Sequence, residues 1–335
     1  MRTENRKVIE SKILLKYFPF WKRDKAKLIE LLSEILMESP NSCTLDAISL
    51  TITAELSDAF STKREGINQI LDCVCQVAKE IPILVLNVEG QFWSVETAKS
   101  EPLKVAASNW AATGWMVAKR KPECVVVDVG STSTSIIPIT CGKVSAQSKT
   151  DLDKLINGEL VYTGSLRTNI AAIVQDVPIK GQKSRVSSEL FAQSGDAHLL
   201  LGNIKTEDYV ADTADGKGKS RMEAMTRLSK VVCADTEMLS ENEIIEMSKY
   251  VYNCQIDQIA DALSQVYSRL KDNSKRVIPV VFTGLGGVFL AKKAAEKAGI
   301  MKITELNEIM PKSAVLASPA VGVALMAATK LDGGK

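Results

Sequence analysis

The run Cys124-Val-Val-Val-Asp128-Val-Gly130-Ser131-Thr132-Ser133-Thr134-Ser-Ile-Ile-Pro-Ile139 sets an acid, a glycine and a row of hydroxyls between two apolar, β-branched stretches. Residues 124–127 read as a buried strand and Ser135–Ile139 as its hairpin partner. The chemistry such a turn can do is to hold phosphate oxygens. Gly130 lets backbone approach a ligand closely. The hydroxyls of Ser131, Thr132, Ser133 and Thr134, with the loop N–H groups, can surround the oxygens. Asp128, at the strand end, is placed to hold a hydrated Mg²⁺ against them. An Asp-Gly-Ser turn is also a common hairpin with no ligand. Gly284-Leu285-Gly286-Gly287, between a strand at Ile278–Phe282 and a helix at Phe289–Ala298, is a second candidate. A helix start favours anions through its N–H groups and dipole, and a plain packing turn is the alternative. The spacing is not that of a dinucleotide fingerprint.

Three further groups carry charge in suggestive places. Arg167, with Tyr162, Thr163 and Thr168, reads either as a bidentate anion clamp or as part of a surface loop. Lys217, Lys219 and Arg221 sit on the Gly-rich loop 212–219 or just beyond it, either to close over a diphosphate or as a solvated charge run. Glu55, just past a strand over Ala47–Thr53, lies where α/β sheets put their ligands, or is simply the acid of a helix start. The chain has one histidine, His198, so any mechanism needing two is excluded, and a Ser/His/Asp triad would have to be built on it. Asp196 and His198 are two apart on one helix and share no face. His198 therefore reads as a packing or rim residue, and a general base is better sought among carboxylates.

These groups need a scaffold, and the periodicity supplies one. Helices are predicted over Lys25–Met37, Lys63–Lys79 and Val105–Lys119, and strands over Ile13–Phe20, Ala47–Thr53 and Ile83–Val88. Residues 1–10 read as a frayed polar end, Ser187–Leu201 and Glu223–Cys233 as helices, and 212–219 as a flexible loop. Ser240-Glu-Asn-Glu243 is a capping box opening a long helix, whose apolar stripe includes Ile244, Met247, Val251, Ile259, Leu263, Val266 and Leu270, and Ser318-Pro opens a final one. Strand–helix alternation makes this an α/β protein. At 335 residues it is long enough for two lobes: a first over 1–120, and a second over 121–335 with the phosphate hairpin at 124–144, an insertion at about 150–235 and the glycine turn at 283–287. With 42 Lys and Arg against 40 Asp and Glu, there is no basic excess for nucleic acid. No leader or membrane-length apolar run is visible, which points to a cytoplasmic protein. The seven cysteines are scattered and unpaired in spacing, and read as free thiols.

Several segments fall in one order: Tyr17-Phe-Pro-Phe-Trp-Lys22, Thr53-Ala-Glu-Leu56, Ala107-Ser-Asn-Trp-Ala-Ala-Thr113, Asp128-Val-Gly-Ser-Thr-Ser-Thr134, Glu159-Leu-Val-Tyr-Thr-Gly164, Asp212-Thr-Ala-Asp-Gly216 and Thr283-Gly-Leu-Gly286. Together they resemble the hydantoinase/oxoprolinase-like branch of the actin/sugar kinase/heat-shock ATPase superfamily. More narrowly, they resemble the methanofuran-biosynthesis condensing enzymes among the tetrahydromethanopterin-linked one-carbon pathway proteins. The resemblance implies a two-lobed, actin-like (ribonuclease H-like) fold. It implies a reaction in which an aminomethyl-furan methyl diphosphate is joined to the phenol of γ-glutamyltyramine with loss of diphosphate. On that reading Asp128 holds Mg²⁺, while Gly130–Thr134, Arg167, Gly284, Gly286 and Gly287 hold diphosphate. Glu55 or Asp151 then serves as the base. The family's Gly-Ile-Asp-Ile-Gly-Gly hairpin has no counterpart before Ile13, so the first lobe is expected to lack it and to show a bare sheet edge. Two other readings stay open: an ATP-dependent kinase or hydantoinase-like amidohydrolase, and a non-catalytic protein that binds a partner or forms a homo-oligomer through that edge.

Overall fold

The computed structural model describes residues 1–4, 7–22, 24–38, 45–270, 277–311, 315 and 317–333. In Cys124–Val129 the five apolar side chains are buried and Asp128 is half-buried. The strand lies inside a sheet, ordered Ile303–Glu305, Val280–Thr283, Cys124–Val129, Thr134–Thr140, with Leu160–Val161 added antiparallel to the start of the last. The pairings of Val280–Thr283 with both its neighbours are parallel, in a register that sets Thr283 beside Asp128. Continuous apolar strands suit a parallel sheet covered on both faces. The covering element is the helix Glu241–Leu270, opened by Ser240, whose hydroxyl and N–H both donate to the Glu243 carboxylate. The stripe anticipated from sequence is the buried one: Ile259, Leu263 and Val266 pack with Val125, Val127 and Ile136. Its first half, through Ile244, Met247 and Val251, closes a separate core with Ile170, Leu200 and Leu228. Each such side chain contributes about 1.5–3 kcal/mol by leaving water.

The chain divides into two compact units: Cys124–Pro138 with Leu155–Glu308, just described, and Met1–Glu123 with Ile139–Lys154 and Ile309–Lys335. Compared with the spans 1–120 and 121–335 drawn from sequence, residues 139–154 and 309–335 sit with the N-terminal unit. That unit holds a sheet of Ile48–Leu50 parallel to Ile83–Leu86, followed by antiparallel Phe92–Trp93. Among the described residues, Ile48–Leu50 and Phe92–Trp93 are its two edges. Helix Lys63–Ala78 buries Ile67, Ile70, Leu71 and Val74, the stripe its spacing predicts. Helix Ser318–Gly333 lies on helix Asn109–Ala118, close enough that a Cβ on Gly322 would stand 2.5 Å from the Ala112 carbonyl. An open apolar hollow of about 1460 Å³, lined by Ile13, Leu32, Ile48, Val74 and Val321 among others, also belongs to this unit. Among the described residues no helix is long and apolar enough to cross a membrane.

Several local expectations change. Residues 1–10 carry a two-stranded ladder, Arg2–Glu4 on Lys7–Glu10, and are not simply a polar end. Ile13–Phe20 is not a strand: it runs without regular structure into a 3₁₀ turn at Phe20–Lys22, closed by the Lys22 N–H on the Pro19 carbonyl. The helix expected from Val105 starts at Asn109, because Ala106 is engaged in a bridge with Ile52 and Ala107 has φ +48°. The one expected over Ser187–Leu201 is only Ser194–Leu200, and a ladder of Asp176–Ile179 with Gln182–Arg185 precedes it. Phe289–Ala298 begins two residues early, as a π-helical turn over Gly287–Ala291. The 212–219 loop is pinned, with Thr213 donating to the Lys217 carbonyl and Arg227 reaching Asp215 and the Gly218 carbonyl. Cys43 lies outside the described residues; Cys73 and Cys124 are buried thiols, and Cys141 and Cys233 are exposed.

Candidate functional site

In the unit built on Cys124–Val129 the hairpin turn between Val129 and Thr134 is held at its neck by the Gly130 N–H on the Ser133 carbonyl, 3.0 Å. A second segment, Thr163–Arg167, is laid against it. The N–H groups of Leu166 and Arg167 both donate to the Ser131 carbonyl, and that of Ser165 to the Gly130 carbonyl, all at 2.9 Å. Gly164 makes this approach feasible, since a Cβ there would stand 2.6 Å from Thr132 backbone atoms. Arg167 lies on the turn, its guanidinium 3.3 Å from the Thr132 hydroxyl. The third wall is the glycine turn. Gly284 has φ +84°, and a Cβ on it would stand 2.7 Å from the Asp128 carboxylate and against the Val129 carbonyl. Gly286 donates its N–H to that same carbonyl, at 3.1 Å. Beside Gly286 the hydroxyl of Ser165 is buried without a hydrogen-bond partner, 2.6 Å from where a Cβ would stand.

Asp128, Gly130–Thr134, Arg167 and Gly284–Gly287 therefore come together, as the sequence suggested. They make a cradle of glycine backbone, hydroxyls, one guanidinium and one carboxylate, with a bare buried hydroxyl facing it. That donor set fits a diphosphate. It also fits Mg²⁺, which binds through one or two carboxylates with waters and phosphate oxygens in place of a full protein cage. Among the described residues no cluster of three or more His, Cys, Asp or Glu side chains exists, so a cation here would rest on Asp128 and on its ligand's oxygens. Thr163 and Thr168, offered as clamp residues, are buried: the Thr168 hydroxyl accepts from the Gly164 N–H within the loop and the Thr163 hydroxyl accepts from the Gln255 amide, while Tyr162 is exposed. Arg221 is engaged by Glu241 and the Leu200 carbonyl, and Lys219 lies over the Tyr209 ring. An Ala at position 284 would take a left-handed conformation and press on the Asp128 strand. Gly284→Ala is expected to cost about 2–4 kcal/mol in urea unfolding, and an unshifted midpoint would contradict the close approach.

Glu55 and Asp151 meet in the N-terminal unit, through a residue the sequence reading did not single out. The Lys63 ammonium is 2.7 Å from the Asp151 carboxylate and 3.7 Å from that of Glu55. Glu55 is 2% exposed, and one of its oxygens has no hydrogen-bond partner. Burial pushes its carboxyl above the usual range, with Lys63 opposing. Gly66 lets helix Lys63–Ala78 reach the Glu55 backbone, where a Cβ would stand 2.8 Å from its Cα and carbonyl. One signal for Lys63 was available: a lysine beginning a helix opposes the dipole, which asks for another partner. Because the Glu55 pKa is raised on folding, its protonated form is favoured by the fold. Stability contributed by the proton is present at low pH and lost as pH rises through the raised pKa. Glu55→Gln is therefore expected to match wild type in unfolding free energy near pH 4 and to exceed it increasingly toward pH 8. Equal stabilities across that range would remove the case for a strained carboxylate.

A strand with Asp128 next to its end, a hydroxyl-rich hairpin and a glycine turn after the neighbouring parallel strand define an actin-like ATPase fold. The coordinates of acetone carboxylase in its nucleotide-free form overlay with a TM-score of 0.51 at 14% identity, over 78% of this chain and 38% of that much longer one. The hydantoinase/oxoprolinase family profile matches residues 46–330, and the chain belongs to that family. It is 40% identical over 317 residues to the (4-{4-[2-(gamma-L-glutamylamino)ethyl]phenoxymethyl}furan-2-yl)methanamine synthase of Methanocaldococcus jannaschii, covering 94% of this chain and 91% of that protein. The Methanococcus vannielii protein of the same name is 37% identical over 213 residues, 62% of this chain and 92% of its own length.

Proposed function

We propose that this chain is a methanofuran-biosynthesis synthase that joins an aminomethyl-furan methyl diphosphate to the phenol of γ-glutamyltyramine, releasing diphosphate. The observation that carries this reading is the 40% identity to the M. jannaschii synthase along 91% of that protein's length. The chemistry suits the residues. The furylmethyl carbon loses its bond to diphosphate oxygen, the electron pair leaving with the diphosphate, and the phenol oxygen forms the new C–O bond. Charge develops on the departing oxygens, where prearranged donors have the largest effect. Arg167, the hydroxyls of Ser131, Thr132 and Ser133 and the Gly284–Gly287 backbone are assigned to hold them; the Thr134 hydroxyl, expected from sequence to join them, is buried and donates to the Thr163 carbonyl. Asp128 is assigned to Mg²⁺, which when bound neutralises leaving-group charge. The phenolic proton, with a pKa of about 10 in water, needs an acceptor, and Glu55 or Asp151 is assigned that role. A carboxylate whose pKa is raised by burial is the better matched base. ATP hydrolysis has no place in this balance.

Incubation of the protein with both substrates and Mg²⁺ tests the reading directly. The ether and diphosphate should appear in equal amounts, and omission of γ-glutamyltyramine should abolish the ether. Absence of the ether over prolonged incubation would refute it.

A further inference from the structure

The only histidine lies beneath the cradle, fully buried. His198 Nε2 is 3.0 Å from the Gln255 side-chain oxygen, and His198 Nδ1 is 3.2 Å from the Asn203 amide nitrogen. Gln255, also fully buried, spends its two N–H donors on the Thr163 hydroxyl, 2.7 Å, and the Gly164 carbonyl, 3.1 Å. This arrangement has one consistent proton assignment. With both amide donors of Gln255 used, its oxygen can only accept, so Nε2 of His198 must carry the hydrogen. Nδ1 then accepts from Asn203. The imidazole is neutral in this network, and burial agrees, holding it down to about 4. On its other side the ring packs on Phe289, centroids 4.7 Å apart, and edge-on to Tyr252 at 5.7 Å. Tyr252 in turn donates its hydroxyl to the Phe289 carbonyl at 2.6 Å.

These contacts lead to both walls of the site. Gly164 is the residue on which the Ser131–Thr132 backbone rests, and Thr134 donates its hydroxyl to the Thr163 carbonyl at 2.8 Å. Phe289 belongs to the π-helical turn that begins at Gly287. We propose that His198 and Gln255 are positioning residues: one neutral imidazole–amide pair that fixes the hairpin turn, through Thr163 and Gly164, and the glycine turn, through Phe289, in the spacing a diphosphate needs. This rests on the reading of the cradle as a diphosphate site. Buried amide and imidazole groups are costly to leave unpaired, so they persist here as a network that ties two elements to one geometry.

A single histidine makes the test specific. With ¹⁵N-histidine labelling, the long-range proton–nitrogen spectrum contains one imidazole, and at pH 7 it should show the Nε2–H tautomer. Titrating inorganic diphosphate with Mg²⁺ into the protein should shift that signal, although the ring does not touch the ligand. Gln255→Leu should bind diphosphate about 10–100-fold more weakly in calorimetry while retaining a cooperative melt. An Nδ1–H tautomer, or a signal that stays still while calorimetry shows binding, would overturn the proposal. So would Gln255→Leu protein with wild-type affinity. If wild-type protein binds no diphosphate at all, the functional reading itself fails, and the proposal with it. Should Gln255→Leu not fold, the tautomer and the ligand-induced shift in wild-type protein still decide.

Discussion

Asp128→Asn is expected to lower ether formation by about 10²–10³-fold, the usual cost of removing one well-placed electrostatic group from a charged transition state. Asparagine is the same size as the acid it replaces. The site is tight, because the Gly284 backbone lies where any added atom would strike the carboxylate. The parallel register of Thr283 beside Asp128 is made by backbone and survives the change. The variant should therefore melt like wild type. Its Mg²⁺ requirement should weaken along with turnover, since the carboxylate assigned to the cation is the group removed. Diphosphate release measured across a Mg²⁺ series separates the two effects. A variant with wild-type turnover and wild-type Mg²⁺ dependence would move the metal, and with it the leaving group, away from this strand end.

The largest stability effect should come from Arg227→Met. Arg227 is fully buried, and its guanidinium donates from Nε at 2.9 Å and Nη2 at 2.7 Å to one oxygen of Asp196, itself fully buried. The remaining arm reaches Asp215 and the Gly218 carbonyl. Methionine fills much of the same space but leaves the Asp196 carboxylate without its partner. Burial already pushes that carboxyl up, and Arg227 is the principal group pulling it back. Breaking a buried pair from one side costs about 3–5 kcal/mol, and the 212–219 loop loses its anchor as well. Denaturant unfolding of Arg227→Met, Asp196→Asn and the double variant forms a cycle. The double variant should recover part of the loss. A near-neutral Arg227→Met would show that the pair contributes little.

The hairpin and the glycine turn were legible in the sequence because each is local. Valine and isoleucine runs, an acid at a strand end and glycines at a strand–helix junction lie within a few residues of one another. The long helix was legible for the same reason, from its cap and its stripe. What stayed hidden is contact over distance. Lys63 reaches Asp151 across 88 positions, and Gln255 reaches Thr163 across 92. No periodicity relates such residues, and a glutamine in a helix interior looks like any solvated side chain. Ile13–Phe20 failed for a different cause. Its apolar composition is that of a strand, but it joins no sheet among the described residues, and Pro19 supplies a carbonyl to a turn and no N–H to a ladder.

Helix Ser318–Gly333 rests on helix Asn109–Ala118 of the same unit, with some two hundred residues of chain between them. On the ribosome this separates two clocks. The unit formed around Cys124–Val129 has all its segments once Glu308 has emerged, whereas the unit that starts the chain still lacks a helix. Its Ala112 surface, shaped to receive Gly322, must wait uncovered until residues 318–333 have been made. Residues made before Glu123 thus belong to the unit completed later. Domains with such long-range closure fold slowly and expose apolar surface meanwhile, so the yield of native protein should depend more on the final helix than on any residue of the cradle.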